Sequence, residues 1–233
     1  IPLGLQFSVL AIGIIVMQSV IVQFDTLGGE MVSNAAQNGF GAANKLNNLL
    51  MTPLNGLGAA MTSFTAQNLG AGDHARIKKG TVQALIIVWT MCLISIAAGL
   101  LLSRGGGYLY IFLSPDKVTA ETMRYGNTYL YVDLSLYLFL GFIFVVRNCV
   151  QGIGKPQFVL GAGAAELAAR VSVCLLLPPL IAGGAVNSDA PRAAVYALCF
   201  ADPFAWMAAD AVLLVPFLRN IMKMDYRYLK GTM

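Results

Sequence analysis

The sequence predicts an all-α membrane protein, a bundle of six transmembrane helices, and three observations predict it. Hydrophobic residues make up 58% of the chain and charged residues 11%, against roughly 45–50% and about 25% in an ordinary soluble domain. A surface that apolar belongs in a bilayer. Six apolar runs, at about 1–24, 41–69, 81–103, 126–151, 157–182 and 193–218, are each near the roughly 20 residues a spanning helix needs. They leave no room for a sizeable soluble domain, so residues 1–233 read as a single six-helix membrane lobe. Finally, the loops on one predicted side hold Arg76, Lys78, Lys79, Lys155, Arg219, Lys223, Arg227 and Lys230, and those on the other only Arg104, Lys117, Arg124 and Arg192. Basic residues concentrate on the cytoplasmic side, which predicts a multi-pass protein of the cell (plasma or inner) membrane with both ends of this chain inside. The net charge of +4 therefore reads as topology in a lipid bilayer rather than as a nucleic-acid surface.

The first run is interrupted only by Gln6, Ser8, Gln18, Ser19 and Gln23, and residues 25–40 read as a polar loop. The second run carries Asn44, Asn48, Asn55 and Thr62, spaced by four, seven and seven. At 100° per residue these stay within about 40° of one another. Hydrocarbon offers amides no partner, so this stripe either bonds neighbouring helices together or lines a wet cavity. Pro53 removes a backbone bond in mid-helix and predicts a bend.

Residues 67–80, Gln-Asn-Leu-Gly-Ala-Gly-Asp-His-Ala-Arg-Ile-Lys-Lys-Gly, form a polar island whose glycines end one helix before Arg76, Lys78 and Lys79 open the next. The third run has no charge and predicts a lipid-facing span. Residues 104–125 mix a glycine hinge with an amphipathic stretch, read as a short interfacial helix. The fourth run places Asp133, Tyr137, Phe144, Asn148 and Gln151 on roughly one face. In the fifth, Gly161, Ala165 and Ala169 make a small-xxx-small pattern for close helix approach, and Glu166 and Arg170 are spaced to pair. The sixth contains Asp202 and Asp210 and ends in a basic tail including Tyr228.

No catalytic or phosphate-cradling motif is present, and the only histidine is His74, so the sequence does not read as an enzyme. Cys92, Cys149, Cys174 and Cys199 fall in four different runs and read as buried packing residues. What stands out is four carboxylates at membrane depth, Asp133, Glu166, Asp202 and Asp210. Such groups are functional candidates by default, because a bare charge there costs several kcal/mol. Arg170 offers Glu166 a structural alternative. Asp133 and Asp202 have no basic partner visible in the sequence and read as protonation or cation-binding candidates.

The stretch 67–80, with Ile1-Pro2 opening the first run, Ala42-Ala43-Asn44-Lys45, Gly152–Pro156 and Glu166-x-x-x-Arg170, resembles the MATE family of multidrug and toxin extrusion transporters, and specifically its second, C-terminal six-helix half. The resemblance implies one half of a twelve-helix, two-lobe transporter whose partner is the N-terminal half of the same protein. It implies an antiporter exporting small organic cations in exchange for H+ or Na+ by alternating access, with no cofactor beyond that coupling ion. The opening at Ile1-Pro2, without methionine or a basic leader, fits that expectation of a fragment, inactive on its own. Members that bind the coupling ion in this half tend to carry an acidic residue on its first helix, where this chain has Gln6, Gln18 and Gln23. The candidate pathway residues are therefore Asp133, Glu166, Arg170, Asp202, Asn44, Asn48 and Asn55. A flippase for lipid-linked oligosaccharide or polysaccharide precursors is the alternative. It calls for several cavity cations, and only Lys45, Arg147 and Arg170 lie at depth.

Overall fold

The computed structural model describes residues 2–223, with side chains from residue 11 onward. Gln6 and Ser8 lie outside the described side chains, and Arg227, Tyr228 and Lys230 outside the described residues. Helices dominate: α1 (Pro2–Gln23), α2 (Ala35–Gly70), α3 (His74–Ser103), a short α4 (Leu109–Phe112), α5 (Ala120–Ser135), α6 (Tyr137–Gly152), α7 (Pro156–Ala182), α8 (Arg192–Cys199) and α9 (Ala201–Pro216), which runs into a π-helical turn at Phe217–Met222. Three stretches are long and apolar enough to cross a membrane, His74–Gly106, Pro156–Ala182 and Arg192–Met222. The bent pair Ala120–Ser135 and Tyr137–Gly152 makes a fourth if read as one span, and Ala11–Gln23 is a shorter apolar helix. At 36 residues, α2 is about 54 Å long at 1.5 Å per residue, and it is less apolar because of its amides.

Local chemistry explains the boundaries. The loop expected over 25–40 is shorter, because a two-residue hairpin of β1 (Thr26–Leu27) and β2 (Glu30–Met31) brings Asp25 back to the start of α2. Its carboxylate accepts from the amides of Ala36 and Gln37 at 3.0 and 2.9 Å, satisfying donors that a helix start leaves orphaned. At the other end α2 stops at Gly70, with Gly72 at φ +71° and Asp73 capping α3 through the Arg76 amide at 2.9 Å. Helix α2 runs on as α-helix through Pro53.

Two expectations are corrected. Residues 104–125 hold no single interfacial helix: two 3-10 turns flank α4, and α5 already begins at Ala120, where Thr119 caps it. The fourth run is not one straight helix over 126–151 but breaks at Leu136 with a 57° bend. Neither proline nor glycine causes the break. Ser135 Oγ donates to the Val132 carbonyl at 2.7 Å and the Leu136 amide bonds three residues back, to Asp133, a hydroxyl competition that tightens and bends helices. Side chains of α3 take up carbonyls beyond the break: Trp89 Nε1 donates to Leu138 at 3.3 Å and Cys92 Sγ to Tyr137 at 3.5 Å. The small residues of α7 fall on a helix that packs closely along α9, where a Cβ on exposed Gly161 would meet Val212 at 3.7 Å. A tighter backbone approach is α2 on α5, where a Cβ on Gly39 would strike the Thr122 carbonyl and the Gly126 amide.

Within this bundle α2 packs on α3, α5 and α6, while α7 packs along α1 and α9. The outer side of α3 shows Ile86, Ile87, Leu93, Ile94 and Leu101 to the surroundings, as expected of a lipid face. All four cysteines are free and buried.

Candidate functional site: a cavity walled by a buried ion-pair chain

Helices α1, α2, α5, α6, α7 and α9 enclose a cavity of about 640 Å³. The stripe expected on α2 forms one side of it: Asn44, Asn48, Asn55 and Thr62 all line the cavity, with exposed Asn48 and Asn55 at its lip. The two readings of that stripe are divided by position. Asn48 Nδ2 donates to Asn44 Oδ1 at 2.8 Å within α2, whereas Thr62 donates across to Asn148 of α6 at 2.8 Å and so also ties helices together. Aromatic side chains Phe40, Phe144 and Trp206 complete the apolar wall.

Opposite the stripe, four charged side chains form one chain of contacts. Arg147 Nη2 of α6 donates to Glu166 Oε2 at 2.7 Å; Glu166 Oε1 accepts from Arg170 Nη2, one turn along α7, at 3.3 Å; and Arg170 Nε donates to Asp202 Oδ1 of α9 at 2.8 Å. The Tyr129 hydroxyl of α5 then donates to Asp202 Oδ2 at 2.9 Å. The side chains of Glu166 and Arg170 are only 7% and 6% exposed. Burial at that level is tolerable because each carboxylate has a guanidinium and the geometry is hydrogen-bonded. The expected Glu166–Arg170 pair is present, but it is the middle link of a longer chain. Asp202, which has no partner visible in sequence, is paired with Arg170.

Asp133 departs further from expectation. Like Tyr137, it does not line the cavity with Phe144, Asn148 and Gln151. It lies behind the wall at 0% exposure, with Oδ2 accepting from Asn47 Nδ2 at 2.8 Å and no guanidinium bonded to it. Its Oδ1, the Asn47 Oδ1 and the Arg147 Nε have no protein partner. Asp210, also on α9, makes no hydrogen bond or ion pair with the chain of contacts but lies within reach of the Arg147 and Glu166 charges, and its Oδ1 is likewise unpartnered. Sequence reasoning missed Asn47, Tyr129 and the bond of Arg147 to Glu166. Asn47 sits three residues beyond Asn44, and its side-chain amide donates to Asp133 of α5. Among the described residues no group of three His, Cys, Asp or Glu side chains could hold a metal ion.

Two arginines stand against four carboxylates at depth: Glu166 and Asp202 share the arginines, while Asp133, sealed behind the cavity wall, and Asp210 have none bonded to them. The site can therefore hold a neutral or cationic group against amides and aromatic rings, while further positive charge is wanted nearby.

Comparison with known proteins identifies the family. The MatE family model matches residues 10–176. The probable multidrug resistance protein YpnP of Bacillus subtilis (strain 168) is 30% identical over 173 residues, covering 69% of this chain and 33% of that protein. Among solved structures, a MOP superfamily transporter from Pyrococcus furiosus, whose reverse polarity of the binding pocket suggests a different function for it, aligns with a TM-score of 0.72 at 14% identity. That alignment covers 94% of this chain and 43% of the other. The chain thus spans about a third of its curated relative and less than half of the solved transporter. With the family model covering well over half of it, this chain belongs to the MatE family, with an all-α membrane-protein fold.

Proposed function

We propose that this chain is one six-span lobe of a secondary active antiporter that exports organic cations or drugs in exchange for H+ or Na+. The observation that carries the reading is Asp133, a fully buried carboxylate behind the cavity wall with no guanidinium bonded to it, beside a chain in which Glu166 and Asp202 share two arginines. An uncompensated buried charge is costly. A proton or sodium ion at Asp133 relieves that cost directly, and a cationic substrate in the cavity relieves it through space. Each therefore weakens the need for the other, which is what exchange requires. The aromatic wall adds attraction for an organic cation, and the amides supply polar contacts that do not demand one particular partner.

The companion lobe closes over the lip at Asn48 and Asn55, and the two lobes rock between outward-open and inward-open states. In this reading both ends of the chain are cytoplasmic, in the cell membrane. Lys155 Nζ donates to Asn220 Oδ1 at 2.7 Å, so the loop before α7 and the end of the last helix meet on one side, which supports that orientation. The flippase alternative calls for free cavity cations, and Arg147 and Arg170 are both engaged by carboxylates.

The test is efflux of a fluorescent organic cation from a drug-sensitive bacterial host expressing the complete gene, with proton and sodium gradients varied. Efflux should follow one gradient, and Asp133→Asn should remove that dependence while the protein still folds. Glu166→Gln, run alongside, weakens efflux by freeing Arg147. Efflux indifferent to collapse of both gradients defeats the reading, and absence of cation efflux favours the flippase. This chain alone in liposomes should transport nothing.

A further inference from the structure

A second, smaller pocket of about 100 Å³ lies away from the cavity, between the N-terminal halves of α5 and α8. Arg124, Tyr125 and Thr128 line it from α5, and Arg192, Val195 and Tyr196 from α8. Two guanidiniums and three hydroxyls converge there, and none of the lining residues is acidic. Arg192 opens α8 and has no hydrogen-bond or ion-pair partner among the described residues. Helix α8 starts with Pro191 at its N-cap and no side-chain cap, so its first-turn amides add partial positive charge to the same place. Arg124 lies over the ring of Tyr125, 5.3 Å from its centroid. Its one carboxylate contact is Glu121, at 3.3 Å on the solvent side, where both side chains are well exposed, and such a pair contributes little. Asp25 has both oxygens committed to the start of α2, and exposed Asp189, three residues before Arg192, makes no ion pair among the described residues.

The pocket also has an apolar neighbour. Tyr125 and Val195 are shared with a narrow crevice of about 20 Å³ bordered by Ile21, Phe24 and Leu198, and the Tyr196 side chain beside them is 51% exposed. Positive charge and hydroxyls on one side, with apolar surface and exposed tyrosine on the other, is the chemistry of a membrane–water boundary. From these observations we infer that Arg124 and Arg192 form a binding site for the phosphate of an anionic lipid headgroup, where α5 and α8 enter the bilayer. Guanidinium forks match phosphate oxygens in pairs, and the crevice rim receives the start of the acyl part. The same oxyanion chemistry would suit free phosphate, but free phosphate makes no use of the apolar rim.

Native mass spectrometry of the intact protein, released from detergent with added lipid, tests this without any transport readout. Phosphatidylglycerol should be retained as an adduct and phosphatidylcholine of the same chains should not. Arg124→Gln with Arg192→Gln should lower phosphatidylglycerol occupancy about thirty-fold, the weight of two arginine contacts to anionic headgroups. Lysine at both positions should retain an intermediate share, because charge remains while the fork is lost. Equal retention of the two lipids, or adducts indifferent to the glutamine variants, overturns the proposal. Displacement of the lipid by millimolar inorganic phosphate alone overturns the lipid assignment in favour of a free oxyanion.

Discussion

Arg170→Met removes the middle of the buried ion-pair chain while keeping a stem of similar volume. The stem matters, because a Cβ on Gly13 of α1 would already sit 3.1 Å from Arg170 Cδ and Nη1, so α1 and α7 meet across this side chain. After the substitution Glu166 still has Arg147, but Asp202 is left with only the Tyr129 hydroxyl. Breaking a buried pair by removing one partner costs about 3–5 kcal/mol. At about 2–4 °C per kcal/mol for a unit of this size, the melting temperature in detergent, followed by fluorescence-detected size exclusion, should fall by about 6–20 °C. Adding Asp202→Asn removes the stranded charge, and the double variant should recover at least half of that loss. A single variant melting within a degree or two of the unmodified protein would refute the argument. So would a double variant no better than the single, since the cost would then lie in packing rather than in an orphaned carboxylate.

Two further outcomes follow from packing and capping. Gly39→Ala should be the more damaging of two neighbouring glycine changes, by about 1–3 kcal/mol of overpacking, because its Cβ meets the backbone of α5. Gly41→Ala, with nothing within 4 Å, should gain about 0.5–1 kcal/mol from helix entropy. Thermal melts of the pair should move in opposite directions. Asp25→Ala should cost about 1–2 kcal/mol as a lost cap and speed hydrogen exchange at the Ala36 and Gln37 amides, and Asp25→Asn should lose only part of this; unchanged exchange in Asp25→Ala would count against the capping role.

Much of the fold was legible because a bilayer writes its demands into composition and length. Apolar runs near twenty residues, basic loops and a four–seven spacing of amides are local quantities, and the helices and the cavity face of α2 follow from them. The break at Leu136 was not legible. It depends on Ser135 choosing a carbonyl and on Trp89 and Cys92 of another helix accepting the consequences, which is a matter of contacts and not of propensity. The partners of Asp202 and Glu166 were hidden for a related reason: Arg147 lies 19 residues from Glu166 and Arg170 lies 32 from Asp202, beyond any helical spacing rule.

The sequence by itself determined the solvent, the helices, the family resemblance and which side chains carry charge at depth, since each is set by residue type and by periodicity along a single helix. Only the tertiary structure decided which charges are neutralised. Two arginines and three of the carboxylates at depth are read equally from the letters. That Glu166 and Asp202 share the arginines, while Asp133 is turned away behind the wall onto Asn47, follows from the packing of α2 on α5 and the crossing of α7 with α9. Electrostatic energy in a low-dielectric interior depends on ångström distances between elements remote in sequence, and those distances exist only once the bundle has packed.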